Sequence, residues 1–270
     1  VQNDTLLTSA LDEASTEYGL VASAVWHPED RAMVVYRLRP EARFHDGKVI
    51  TPDDVIWSME ALRQSHPFYN SYYKNITKAE QTGDGEVTFT FSQTGNRELP
   101  LITGQLPVLP KHWWTGTDAK GNTRNINETT LEVPLGSGSY VASEIKPGVS
   151  IKMKRVADYW GKDLPVSAGI DNFDELEYIY FRDSNVMFEA FKGDQFDWRT
   201  ESSSKIWATG YDFPAVKAGR AIKEEIALKN VEGMQGWALN IRRDKFKDVR
   251  VRQALNHAFD FEWSNTNLFY

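Results

Sequence analysis

Apolar and polar positions alternate along this chain in two rhythms. Val87, Phe89 and Phe91 alternate with Thr88 and Thr90, which predicts a strand with the three apolar residues on the core face and both threonines facing out. Val149, Ile151 and Met153 alternate in the same way with Ser150, Lys152 and Lys154, and residues 33–38 and 176–181 are rich in β-branched and aromatic residues. The helical rhythm is clearest at Val55, Ile56, Met59 and Leu62. Thr51 precedes them as a cap, Pro52 suits the first helical position, and Asp53 and Asp54 face the positive end of the dipole. This helix should end before His66-Pro67, because a residue preceding proline disfavours the α region.

Weaker periodicities fill in the rest. Residues 4–11 read as a short helix with Leu6, Leu7 and Leu11 on one side. Asp183 or Ser184 caps a helix carrying Met187, Ala190 and Phe191, with Gly193 placed as the glycine just past its end. Residues 196–198 read as the next strand, 214–218 as a short helix stopped by Gly219, 221–228 as extended, and 234–241 as another strand. Asp248 caps the last clear helix, whose buried stripe should be Val251, Ala254, Leu255, Ala258 and Phe259. Arg250 and Arg252 sit in its first turn, where the dipole disfavours cations, so something should compensate them, such as carboxylates from a neighbouring element. No repeat is visible, and strands and helices mix without a strict βαβ rhythm. The fold class is therefore α/β in the α+β sense, a mixed sheet with an inserted α+β region.

Composition narrows the function. A length of 270 residues with 14 Phe, 11 Tyr and 9 Trp supplies ample core. The net charge of −7 speaks against a nucleic-acid surface, which needs a basic stripe. No run approaches the ~18 apolar residues of a membrane span. Absence of cysteine removes disulfides, thiol nucleophiles and thiolate-held metals. The motifs G-x-S-x-G, H-E-x-x-H and the Walker loop are all missing, and His27, His45, His66, His112 and His257 lack metal-ligand spacing. The acidic group Asp171, Asp174, Glu175 and Glu177 reads as a solvated strand edge, and Gly136-Ser137-Gly138-Ser139 as a structural turn. No cofactor and no metal is expected, and the chain reads as a non-enzyme.

Four stretches in order carry a resemblance. The run from Leu38 to Leu62, LRPEARFHDGKVITPDDVIWSMEAL, resembles the signature of family 5 extracellular solute-binding proteins, the peptide, nickel and opine receptors of ABC importers. Gly136-Ser137-Gly138-Ser139-Tyr140 is similar to that family's G-T-G-P-Y, with Ser139 in place of proline. Residues 191–197 are similar to its L-x-x-G-x-x-D, and residues 246–255 to its F-x-D-x-R-V-R-Q-A-L. Residues 198–203 and 260–265 look most like the YejA-like branch, linked to oligopeptide and microcin C uptake.

The resemblance implies a type II periplasmic-binding-protein fold whose lobes close on ligand by hinge motion and present it to a permease. It implies a periplasmic monomer partnered by ABC permease subunits, with no nucleic acid and no membrane span. Family members are about twice as long, so the chain reads as an internal fragment with the second lobe largely missing. Residues 1–10 and 134–230 are expected to form the core of lobe I and residues 11–133 an inserted subdomain. Residues 231–270 would hold the hinge strand and first helix of lobe II.

Two stretches suit ligand binding. Trp198, Arg199, Thr200, Glu201 and Ser202 offer an aromatic face, a cation, an anion and hydroxyls in a few residues. Arg199 would meet a peptide carboxylate and Glu201 an amine, unless the two pair with each other. Met234, Gln235, Gly236 and Trp237 combine an adaptable thioether, a close-approach glycine and a broad apolar face. The aromatic group Phe68, Tyr69, Tyr72 and Tyr73 reads as a satellite cluster or a ligand platform. The expected function is capture of peptides or peptide-like compounds. The alternatives are a carbohydrate or opine receptor, a carbohydrate-active enzyme with a carboxylate pair, and a protein-binding domain without small ligand.

Overall fold

The computed structural model describes residues 2–10, 12–229, 233–234 and 236–270. The chain divides into two compact units, Val1–Tyr180 and Phe181–Tyr270.

In the first unit the elements run β1 (Leu7–Ser9), β2 (Glu17–Gly19), β3 (Ala22–Trp26), β4 (Met33–Leu38), α1 (Pro52–Ser65), α2 (Pro67–Tyr72), β5 (Ile76–Gly83), β6 (Glu86–Phe91), α3 (Glu98–Gly104), α4 (Lys111–Trp114), β7 (Tyr140–Lys146), β8 (Ser150–Arg155) and β9 (Glu175–Ile179). They make three antiparallel sheets: the pair β1-β2, the four-stranded β3-β4-β6-β5, and the three-stranded β7-β8-β9. Val34, Tyr36, Val87 and Phe89 meet Val55 and Met59 of α1 in one buried core. Burying each large side chain contributes on the order of 1.5–3 kcal/mol.

The local reasons for α1 are visible. Asp54 N–H donates to Thr51 Oγ1 at 3.3 Å and Thr51 N–H donates to Asp54 Oδ2 at 3.0 Å, a reciprocal capping box. Val55 and Met59 are buried while Ile56 and Leu62 pack partly buried against the core. The helix stops at Ser65, as His66-Pro67 requires, and His66 then caps α2. Along α2, Phe68 stacks on Tyr72 and Tyr69 on Tyr73, with Tyr73 buried and Phe68 exposed.

The first residues are held by remote chain. Ser137 and Gly138 N–H groups both donate to Gln2 O at 2.9 Å, and Asp4 N–H donates to Ser137 Oγ at 2.9 Å. A Cβ on Gly136 would stand 2.1 Å from the Gln2 carbonyl oxygen, so only glycine admits this approach. Asp4 is buried, and its carboxylate accepts from Tyr159 Oη at 3.1 Å and Trp160 Nε1 at 2.9 Å. Burial raises the Asp4 pKa above its ordinary value, partly offset by those hydrogen bonds. The 136–140 motif also holds the turn at His45, whose N–H donates to Gly136 O at 2.8 Å and whose Nε2 lies 2.7 Å from Gly138 O.

The second unit carries α5 (Ser184–Lys192), α6 (Ser204–Thr209), α7 (Pro214–Lys217), α8 (Asp244–Lys247), α9 (Val249–His257) and α10 (Phe261–Ser264). Asp183 caps α5 through Asn185 and Val186 N–H, and Asp248 caps α9 through Arg250 N–H. The Asp248 carboxylate also grips the Arg250 side chain at 2.6 Å, and Arg252 donates to the Phe246 and Lys247 carbonyls, so both first-turn cations are compensated.

Several local expectations are corrected. Residues 4–10 form no helix: Leu7–Ser9 is a strand paired with β2 and Thr5 bridges Pro107, because long-range partners take the backbone groups a helix would use. Leu11 lies outside the described residues. Thr88 is buried rather than outward, its hydroxyl satisfied by Thr82 at 2.7 Å. At the end of α5 the left-handed residue is Asp194, with φ 59°, and Gly193 has φ −82°. Among the described residues, 196–198 and 234–241 form no strand. The stripe Val251, Leu255 and Phe259 is exposed, and α9 has no buried residue; it packs on α8 within its unit.

Two outcomes are expected. Gly136→Ala should cost at least about 2 kcal/mol in urea unfolding, because the new methyl meets a backbone oxygen that cannot yield. Asp4 has its folded pKa raised above 3.8, so the folded state binds its proton more tightly. The stability it contributes is present below that value and is lost as pH rises through the folded pKa. Relative to Asp4→Asn, the unsubstituted protein should therefore be less favoured at pH 7 than at pH 4 in urea melts. A difference of opposite sign would show that hydrogen bonding outweighs burial.

Candidate functional site

The second unit contains a half-open groove of about 1370 Å³, lined from the end of α5 to the start of α7, by the segment 220–228 and by Phe269 and Tyr270. Asp194 turns the chain at the end of α5, with Gln195 N–H donating to Ala190 O at 3.1 Å. The following segment, 196–204, runs along the groove. Ser203 then caps α6, accepting from Ile206 N–H at 3.3 Å. Pro214 opens α7 after Tyr211 and Phe213, both of which line the groove.

A buried ion pair forms the polar heart of this site. Arg199 Nη2 donates to Glu201 Oε2 at 2.8 Å, and both side chains are only 4% exposed. Glu201 is held from three directions. Tyr211 Oη donates to Oε2 at 3.2 Å and Ser203 N–H donates to Oε1 at 2.9 Å. The Arg199 guanidinium lies 4.8 Å from the centre of the Phe188 ring, a cation–π contact within low-dielectric surroundings. The Tyr211 pKa is raised, first by burial and then by Glu201, while Arg199 works the other way. Breaking one partner of such a pair leaves an uncompensated buried charge.

Aromatic side chains surround the pair. Trp198 is 71% exposed and lines the groove with Trp207, Tyr211 and Phe213. Lys223 lies over Trp207 at 4.3 Å and donates to its carbonyl at 2.6 Å. Such a wall accepts apolar side chains of varied shape, while Thr200, Ser202 and Ser204 provide hydroxyls along the same surface.

Trp198, Arg199, Thr200, Glu201 and Ser202 are thus brought together on one groove, with Arg199 and Glu201 paired to each other. Met234, Gly236 and Trp237 do not line it; they lie in irregular chain with Met234 95% and Trp237 94% exposed. Gln235 lies outside the described residues. Trp207, Tyr211, Phe213 and Lys223 were not singled out in the sequence. Their only signal was the density of aromatics in 207–213, three of seven residues, which folding of α6 and α7 turns towards Arg199.

Other candidate groups resolve into structural contacts. Lys152 reaches Glu175 and Glu177 at 3.6 and 3.7 Å, and Arg155 pairs with Asp174. His112 Nε2 lies 2.8 Å from Asp46 Oδ2. Among the described residues no group of three or more His, Cys, Asp or Glu is placed to hold a metal, and no helix is long and apolar enough to cross a membrane.

Comparison with known proteins identifies relatives. Residues 16–270 match the family of bacterial extracellular solute-binding proteins, family 5 Middle. The chain is 47% identical to the probable peptide-binding protein YejA of Agrobacterium fabrum, over 99% of this chain and 44% of that protein. It is similar in fold to the crystal structure of NikA from Brucella suis in complex with Fe(III)-EDTA, with TM-score 0.71 and 19% identity over 100% of this chain and 51% of that one. It is also similar in fold to the oligopeptide-binding protein AppA of Bacillus subtilis in complex with a nonapeptide, with TM-score 0.66 and 21% identity over 98% of this chain and 49% of that one. These neighbours are type II periplasmic binding proteins, as the expected fold class has it. The chain spans about half the length of the proteins it matches.

The ion pair generates one expectation about stability. Arg199→Met alone or Glu201→Gln alone should each cost about 3–5 kcal/mol in urea unfolding, by stranding the other member in a buried place. The double substitution should cost less than the sum of the two, giving a coupling energy of at least about 1 kcal/mol. Additive losses would mean that the pair is energetically independent despite its 2.8 Å separation.

Proposed function

The chain belongs to the bacterial extracellular solute-binding proteins of family 5, and on that footing we propose that the protein captures peptides or peptide-like compounds outside the cytoplasm and delivers them to an ABC importer. It binds and releases its solute without chemistry. The observation that carries this reading is the groove itself, with aromatic walls, a row of hydroxyls and a buried, hydrogen-bonded ion pair in about 1370 Å³. That combination suits a ligand with repeated polar backbone groups and changing side chains. The relative in Agrobacterium fabrum, described as a probable peptide-binding protein, supports the same solute class.

The finer parts of the proposal follow from family membership. The protein would work as a periplasmic monomer and hand its ligand to permease subunits. Residues 1–10 and 134–230 would serve the core of one lobe, 11–133 its inserted subdomain, and 231–270 the start of the other. Trp198, Arg199, Thr200, Glu201 and Ser202 would contact ligand from the groove, and Met234, Gln235, Gly236 and Trp237 from the chain leading to the second lobe.

Native mass spectrometry of gently purified protein, followed by denaturation and sequencing of what is released, tests the solute class. Co-purified peptides are expected. After their removal, adding one back at about a hundred times its Kd should stabilise the protein by about 2.7 kcal/mol, read as a rise in Tm. A released sugar or opine would leave the family assignment intact and overturn the peptide claim.

A further inference from the structure

Glu201 has little hydrogen-bonding capacity left to offer a ligand amine, because three of its roughly four acceptor sites are already taken. Its Oε2 accepts from Arg199 and Tyr211, and its Oε1 from Ser203 N–H. Arg199 is in the opposite condition. A guanidinium carries five N–H donors in a fixed plane. Nη2 serves Glu201, but Nε and Nη1 are buried and have no hydrogen-bond partner among the described residues. Other buried side chains with an orphaned atom, such as Trp114 and His45, lack a partner for one atom each; Arg199 lacks two, and it is charged.

From this imbalance we infer that Arg199 is the anchor for a carboxylate of the ligand, and that Glu201 and Tyr211 position it. The inference rests on the peptide-receptor reading and sharpens it: the groove selects peptides with a free carboxylate, at the C-terminus or on a side chain. Three features favour an anion over a neutral carbonyl. Buried donors on a cation are costly to leave unmet, and charge-assisted bonds to them are roughly twice as strong as neutral ones. The idle N–H groups on Nε and Nη1 point to different sides of the guanidinium, and a carboxylate oxygen that accepts from one of them also brings the negative charge that a neutral carbonyl lacks. The guanidinium is fixed before ligand arrives, by Glu201 on one side and the Phe188 ring at 4.8 Å, so little side-chain entropy is lost on binding. Besides Glu201 the groove is lined by four exposed carboxylates, Asp194, Asp197, Glu224 and Glu225, whose repulsion of such a ligand is screened by water and opposed by Lys192, Arg220 and Lys223 on the same lining.

The test compares tri- to hexa-alanine peptides as free acids with the same peptides carrying C-terminal amides, by calorimetric titration of ligand-free protein. Free acids should bind about ten- to a hundredfold more tightly. Equal affinity, or tighter binding of the amides, overturns the inference while leaving the peptide-receptor reading standing. Binding of neither series, together with no co-purified peptide, sinks the receptor reading and this one with it. Arg199→Lys keeps the buried charge but loses the planar fork, and should shrink the acid-over-amide ratio at least severalfold with the fold intact by circular dichroism. If Arg199→Lys does not fold, the double variant Arg199→Met/Glu201→Gln, which leaves no stranded charge, should fold and show no acid preference. A folded variant of either kind that kept the full preference would place the carboxylate elsewhere.

Discussion

The first unit depends on a clasp between its opening residues and chain more than a hundred positions away. Gln2 and Asp4 are tied by backbone and side chain to Ser137, Gly138, Tyr159 and Trp160. Gly136 is the geometric condition for this, since any Cβ there would strike the Gln2 carbonyl. Asp4 is the energetic condition, a buried carboxylate made tolerable by two neutral donors, Tyr159 and Trp160. The same 136–138 backbone receives His45, so the clasp also fixes the turn that leads into the capping box of α1. A glycine- and serine-rich motif that superficially suits phosphate binding therefore has its Ser137 and Gly138 amides already committed to the Gln2 carbonyl.

The second unit concentrates chemistry instead of closure. Its helices are short, and many of its large apolar side chains, including those of α9, remain open to solvent. Against that background the tight environment of Arg199 and Glu201 stands apart. Two ionised groups, nearly free of water, sit among Phe188, Tyr211 and Ser203. A pair of this kind gives little net stability compared with an apolar replacement.

Much of this was legible in the sequence where a segment's own pattern decided its form. The strands β6 and β8 showed their period of two, β4 its β-branched and aromatic content, and α1 its cap, its proline and its stripe. Residues 4–10 were misread because two adjacent leucines fit a helix or a strand equally well. The choice was made by β2 and Pro107, which no local window contains. Residues 196–198 and 234–241 have strand-like composition, yet a strand exists only with a partner ladder, and the described residues provide none. At the site, Arg199 and Glu201 stood two residues apart and their pairing could be anticipated. Trp207, Tyr211 and Phe213 could not, since it takes the turns around α6 and α7 to bring them to the pair. Buried Thr88 was hidden for a similar reason: its partner Thr82 lies on the neighbouring strand.

The burial of Arg199 and Glu201 bears on the ionic strength in which the groove works. The exposed pair Lys217–Asp212, with side chains 66% and 82% exposed, sits in water where dissolved ions weaken it. At physiological salt the Debye length is about 8 Å, and mobile ions do not enter the 4%-exposed environment of Arg199. Attraction there is set by the protein's own dielectric and not by the surrounding medium. A ligand anion held at Arg199 would therefore feel added salt less than one captured by surface charge.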